Sequence, residues 1–275
     1  TPLYQTTRPY TELGYLLGGK AEQLIELTHT QNRGQNMNFS FDFRFTNAPG
    51  SLKNQNANFS NLRFTSNYVS KRKRYSSNFI FISNKMSSSE NGGLINAKKL
   101  DSLSLNDPFE LDTRLGISGS TFRNPFNTSI ATGNVYQDNG IIWRQSYALG
   151  QKDSIVKDTN TFYLFYPRIR FQNEIKFTQY QYTFQDANPD SAKYAKYFNF
   201  FPTSYQSVNY TDKWNVFVDE MSMISYPDKM NANQFLQLGV GYGLQNLNGS
   251  KSWSNQDIYG FGVYRNKTKK RTFNC

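Results

Sequence analysis

The fold class this sequence predicts is all-β: an antiparallel, up-and-down β-barrel that crosses a membrane. Three observations predict it. Apolar and polar residues alternate over long segments, the polar faces carry charge, and the connections alternate between short and long. The clearest segment is 37–46, where Met37, Phe39, Phe41, Phe43 and Phe45 alternate with Asn38, Ser40, Asp42, Arg44 and Thr46. Side chains alternate faces along a strand, so this segment builds one apolar and one wet face. A dry core would not accept Asp42 and Arg44 unpaired. The length also suits a strand that crosses a bilayer, which needs about 9–11 residues. One such strand alone fits a soluble sandwich better, and repetition is what makes the case for a barrel.

The other strand candidates are 10–17, 21–30, 61–69, 75–84, 141–149, 162–182, 214–224, 236–244 and 258–266. Gly18-Gly19 signals a hairpin between the first two. In 61–69, Leu62, Phe64 and Tyr68 oppose Arg63, Thr65 and Asn67; in 75–84, Ile80 and Ile82 break the alternation of Phe79 and Phe81. In 162–182, Ile169, Phe171, Ile175 and Phe177 oppose Arg168, Arg170, Glu174 and Lys176. The segment 214–224 is the least regular. Leu236, Leu238, Val240, Tyr242 and Leu244 oppose Gly239, Gly241 and Gly243, and Tyr259, Phe261 and Val263 oppose Gly260 and Gly262.

Tight or charged turns fall near 31–36, 71–74, 226–232 and 267–271, with a longer one at 150–160. Long loops fall at 47–59, 86–138, 185–212 and 246–256. Short turns at one end and long loops at the other are the pattern of an outer-membrane barrel. The chain reads as one domain, 1–275, with 86–138 as a long surface loop. That loop would constrict the lumen, form a lid, or vary without an ordered role. The first residues show no leader, and 272–275 reads like a strand that is cut off. An internal portion of a longer barrel is therefore expected.

Mean hydropathy is −0.70, which an alternating barrel allows because lipid-facing and lumen-facing residues cancel. No run approaches the roughly 18 apolar residues of a membrane helix. Aromatic residues make up 16% of the chain, as interfacial girdles require, although a sugar-binding β protein would show the same. The net charge of +11 gathers in turns such as 71–74 and 267–271. This reads as solvated charge or contact with anionic headgroups rather than a nucleic-acid site.

Nothing has the spacing of a catalytic motif, and no cofactor is expected. The one cysteine, Cys275, builds neither a disulfide nor a metal site. The one histidine, His29, stands at the end of an alternating stretch and reads as structural or interfacial. Gly239–Gly243 lacks the spacing of a nucleotide loop and makes room inside a barrel. Asp101, Asp107 and Asp112 lack calcium-loop periodicity. Asp219 and Glu220 would face opposite sides of a strand.

What remains is the two faces. Asp42, Arg44, Arg63, Arg144, Arg168, Arg170, Glu174 and Lys176 are the expected pore-lining set, with a weak preference for anions because bases lead. Phe39, Phe41, Phe43, Phe45, Leu62, Phe64, Trp143, Ile169, Phe171, Leu238, Val240 and Phe261 are the expected lipid-facing set.

An ordered series of motifs adds to this. Arg8-Pro9-Tyr10-Thr11-Glu12-Leu13, His29-Thr30-Gln31-Asn32, Asn47-Ala48-Pro49-Gly50 and Lys53-Asn54-Gln55-Asn56 open it. Ser89-Glu90-Asn91-Gly92-Gly93, Asn124-Pro125-Phe126-Asn127, Phe165-Tyr166-Pro167-Arg168, Asp212-Lys213-Trp214 and Asn233-Gln234-Phe235-Leu236 continue it. In this order they resemble the "putative porin" family of Bacteroidetes-type bacteria. The resemblance implies an outer-membrane barrel of a Gram-negative bacterium, longer than this chain, and supplies no catalytic residues. The expected function is passive diffusion of small polar solutes, with outer-membrane lipids around the wall and no nucleic acid. The alternatives are an anchor or partner for a surface lipoprotein or secretion machine, a soluble glycan-binding β-sandwich, and an outer-membrane enzyme.

Overall fold

The computed structural model describes residues 3–4, 6–101, 107–116, 130–157, 160–200, 208–228, 233–268 and 271–274. Among the described residues eleven strands form a single sheet in strict chain order. They are β1 (Tyr10–Leu17), β2 (Gln23–Arg33), β3 (Met37–Ala48), β4 (Ala57–Val69), β5 (Tyr75–Ser89) and β6 (Thr132–Lys157). Then follow β7 (Asn160–Asp186), β8 (Val208–Ser225), β9 (Gln234–Asn248), β10 (Trp253–Thr268) and β11 (Arg271–Asn274). Each is antiparallel to the next. Among the described residues no pairing joins β1 to β11, so the sheet is open, as part of a larger barrel wall would be. Extensive contacts join only consecutive strands. Among the described residues no second sheet covers the Phe39–Phe45 face, whereas the sandwich alternative requires one.

The strands are longer than their alternating cores suggest. β5 runs to Ser89 and β6 starts at Thr132, so the connection expected at 86–138 shrinks to 90–131. The turn expected at 150–160 is mostly strand: β6 and β7 continue through it after a bulge at Leu149/Gly150. A side chain at Gly150 would start 1.9 Å from the Tyr166 carbonyl oxygen, so the bulge closes only over glycine. The irregular 214–224 segment lies within β8. Between β7 and β8 lies a short helix, α1 (Ser191–Phe198), capped by Asp190 on the Ala192 and Lys193 amides.

Register divides the residues between two faces. On the polar face, Thr30, Ser40, Thr65 and Ile80 are almost fully buried, and the Thr6 amide ahead of β1 donates to Asn32 on this same face at 3.3 Å. On the apolar face, cross-strand rows stack in order. One row is Phe81, Ile141, Phe177, Phe217 and Leu244; another is Tyr75, Tyr147, Phe171, Met223 and Leu238. In β6 these rows span Ile141 to Leu149 and in β9 Leu236 to Leu244, nine residues each. That matches one bilayer crossing.

Above this band, toward the long loops, the pattern inverts. The next row on the same face is Ser83, Asn139, Gln179, Asn215, Asn246 and Ser254. Its members bond sideways: Ser83 to Asn139 (2.7 Å), Gln179 to Asn215 (3.1 Å) and Ser254 to Asn246 (2.7 Å). The opposite face of the same strands turns aromatic there, with Tyr136, Tyr180, Tyr182, Tyr210 and Trp214.

Candidate functional site: a charged sheet face with a folded cap

The sequence-predicted charged residues converge on one face because their strands pair in register. Asp42 stands opposite Arg63, Arg44 opposite Glu26, and Arg144 opposite Glu174. Directly opposed unlike charges are the favourable arrangement on a sheet. Arg63 grips Asp42 through Nη2 (2.8 Å) and Nε (3.1 Å), and the Thr28 hydroxyl donates to the other carboxylate oxygen at 3.1 Å. Arg44 Nη2 lies 2.5 Å from Glu26. Arg144 binds both oxygens of Glu174, at 2.6 and 3.3 Å.

Glu174 also stands opposite Glu220, a like-charged pair. Arg144 relieves it on one side, and the Tyr259 hydroxyl donates to Glu220 at 2.6 Å on the other. Arg170 places its guanidinium 5.7 Å over the Tyr226 ring. Lys176, between Ile142 and Val218 on the same face, makes no ion pair among the described residues. A cavity of 370 Å³ opens among Arg144, Arg170, Glu174, Glu220 and Gln237.

One predicted position sits at an irregularity and one changes face. Arg168 sits at the β6–β7 bulge without a register partner in β6, and its Nη1 donates to the Pro227 carbonyl. It keeps the phase of Arg170 along β7, at the turn end of the charged face, and its carbonyl accepts from the Tyr226 amide at 2.8 Å. Phe261 belongs to the charged face, opposite Gly239, rather than with Leu238 and Val240. Its ring, like that of Tyr259 over Gly241, fills the room the glycines leave. A Cβ on Gly239 would meet the Phe261 ring at 2.3 Å, and one on Gly241 the Tyr259 ring at 2.4 Å. Aromatic cover of strand glycine is a recurring device of β-barrels. The other eleven expected lipid-facing residues share the apolar face.

Sequence reading missed Glu12, Glu26, Asp138, Asp212, Glu220 and Asp257, together with one base, Arg265, which the register adds to the charged face. With them the basic excess behind the expected anion preference disappears. The missing signal was pairing: Glu26 is recognisable only once Arg44 is known to lie opposite. The apolar face has a polar streak of its own. Asn173 Nδ2 donates to Asp219 at 2.6 Å, Tyr75 to Gln145 at 2.9 Å, and Trp143 to Ser77 at 2.9 Å. His29 also lies on this face, well inside β2, with Nδ1 2.8 Å from the Thr11 hydroxyl.

At the long-loop end three connections fold into a cap. Lys53, almost fully buried, reaches Asp112 (3.3 Å) and the Glu110 carbonyl (3.4 Å). Asn54 donates to Thr113 and to the Leu115 carbonyl. Lys193 of α1 reaches the Thr113 carbonyl at 3.3 Å. Leu111, Leu115 and Tyr194 are buried here. The Tyr194 hydroxyl donates to Asp186 at 2.8 Å; burial, then this bond, hold the phenol well above its ordinary pKa. The described part of 90–131 is thus ordered.

Among the described residues no group of three or more His, Cys, Asp or Glu could hold a metal, and no helix is long and apolar enough to cross a membrane. No curated protein and no solved structure matches the chain. A family model described as "putative porin" matches residues 2–274. On a match over nearly its whole length, the chain belongs to that family.

Proposed function

We propose that this chain forms wall of a porin-like channel in an outer membrane, open to small polar solutes. The observation that carries the reading is the division of one sheet. A nine-residue apolar band suited to lipid backs a face of paired charges suited to water. Charges in cross-strand pairs hold their positions against an aqueous lumen. They set a local field without a large net charge.

The test is single-channel recording of the protein in a planar bilayer. Stable ohmic steps are expected, without a preference for anions, because bases no longer outnumber acids on the charged face. Reproducible insertion without current would remove the channel and leave the barrel. One observation favours a second reading, a platform for a surface partner. The cap exposes Ile95, Leu100, Phe198 and Phe200, an apolar surface of the kind that marks protein contacts.

A further inference from the structure

The strands above the apolar band carry a feature the channel reading leaves unused. On the charged face, Tyr136, Tyr180 and Trp214 lie side by side, with ring centroids 6.4 and 5.8 Å apart. One cross-strand row holds Asn84, Asp138, Tyr180, Trp214, Leu247 and Trp253. Tyr182 and Tyr210 form a second pair at 6.3 Å. The rings stay open to solvent: Tyr136 is 38% exposed, Trp214 43% and Trp253 49%.

This lane is no interfacial girdle. The residues that alternate with it, Asn139, Gln179, Asn215 and Asn246, are polar and face the other way. At this level neither face meets hydrocarbon. Exposed aromatic surface above the membrane therefore has no lipid to cover it, and such surface marks binding grooves.

We propose that the lane is a binding track for neutral oligosaccharides at the channel mouth. The inference rests on the channel reading and names its solute class. A sugar ring offers a flat C–H face to an aromatic ring and hydroxyls at its edge. The lane supplies both partners. Asp138 lies in the same row, and its Oδ1 is buried without a hydrogen-bond partner. Asn134 accepts from the Tyr182 hydroxyl (2.6 Å) and donates to Glu90 (2.5 Å), and Asp212 accepts from Tyr210 (2.5 Å). Charge selects among stacking ligands. Asp138, Glu90 and Asp212 border the lane, and none of the described residues of β6–β10 adds Lys or Arg to this face at this level. A phosphate-bearing nucleotide would be repelled, whereas a neutral sugar would not.

The test is calorimetry on the detergent-purified protein with linear hexasaccharides of glucose, mannose and xylose and with adenosine monophosphate, beside current block in a bilayer. At least one sugar is expected to bind. Trp214→Ala and Tyr180→Ala should each weaken it by about tenfold, and Trp214→Phe, which keeps a ring, should recover most of the affinity. Ohmic current with no sugar bound up to about 10 mM overturns the track and leaves the channel. Sugar binding lost in Trp214→Ala, without current, supports the track and removes the channel. Nucleotide binding in place of sugar overturns the saccharide assignment.

Discussion

Two stretches of the same strands differ in which face is apolar. Between Ile141 and Leu149, β6 turns Ile141, Trp143, Tyr147 and Leu149 to one side and Arg144 and Ser146 to the other. Between Asn134 and Asn139 the same strand turns Gln137 and Asn139 to the first side and Tyr136 to the second. The backbone ladder runs unbroken through both stretches, so pairing does not cause the change. On the channel we propose, the surroundings account for it: one stretch would meet hydrocarbon outside and water inside, the other water outside and a ring-stacking ligand inside. In the proposed channel, β6 would therefore run on past the membrane while its hydrogen bonds continue unchanged.

The largest effect should separate the two stretches directly. Phe41→Arg places a charge at the middle of the β3 band and should cost about 2–4 kcal/mol in a reversible unfolding assay in lipid. Thr211→Arg, on the same face but above the band, should cost less than about 1 kcal/mol. Equal costs would erase the boundary.

Next comes the charged face. Arg63→Ala strips Asp42 of two hydrogen bonds and should cost roughly 1–2 kcal/mol. A double-mutant cycle with Asp42→Ala should return a coupling of roughly 1 kcal/mol, and additivity would show the pair to be incidental. In the cap, Tyr194→Phe should cost about 1 kcal/mol of local stability, seen as faster amide exchange at 186–200. The raised Tyr194 pKa gives a sign as well. The folded cap favours the neutral phenol, so its contribution is complete below about pH 10 and is lost as pH rises further. The Phe variant should lack that part of the alkaline loosening. Smallest in stability is Lys176→Glu, which breaks no ion pair among the described residues. It should leave unfolding unchanged and move the reversal potential toward cation preference, and no shift would take Lys176 out of the lumen.

The band was legible in the sequence and its extension was not, for one physical reason. β3 alternates Phe39, Phe41, Phe43 and Phe45 in a single phase, so both strand and face could be read from it. In β6 the apolar phase flips at Asn139-Gly140, and a reading that follows one phase stops there. Residues 132–138 were therefore expected in the loop, and the Tyr136–Tyr180–Trp214 lane went unseen. Phe261 was misplaced because β10 alternates aromatic residues with Gly260 and Gly262, so both faces look apolar. Only the position of Gly239 across the ladder decides it. Cross-strand acids such as Glu26 and Glu220 depend on register, which no single strand encodes.

The most direct measurement is a fluorophore scan along β6 in vesicles of brominated lipid, after Cys275→Ser, with single cysteines at 135, 137, 139, 141, 143, 145, 147 and 149 and at 142 and 144. Quenching is expected to begin at 141, persist at odd positions to 149, and be absent at 135–139, 142 and 144. Quenching that continues through 135–139, or that favours the even positions, would contradict the membrane boundary and the division of faces drawn from it.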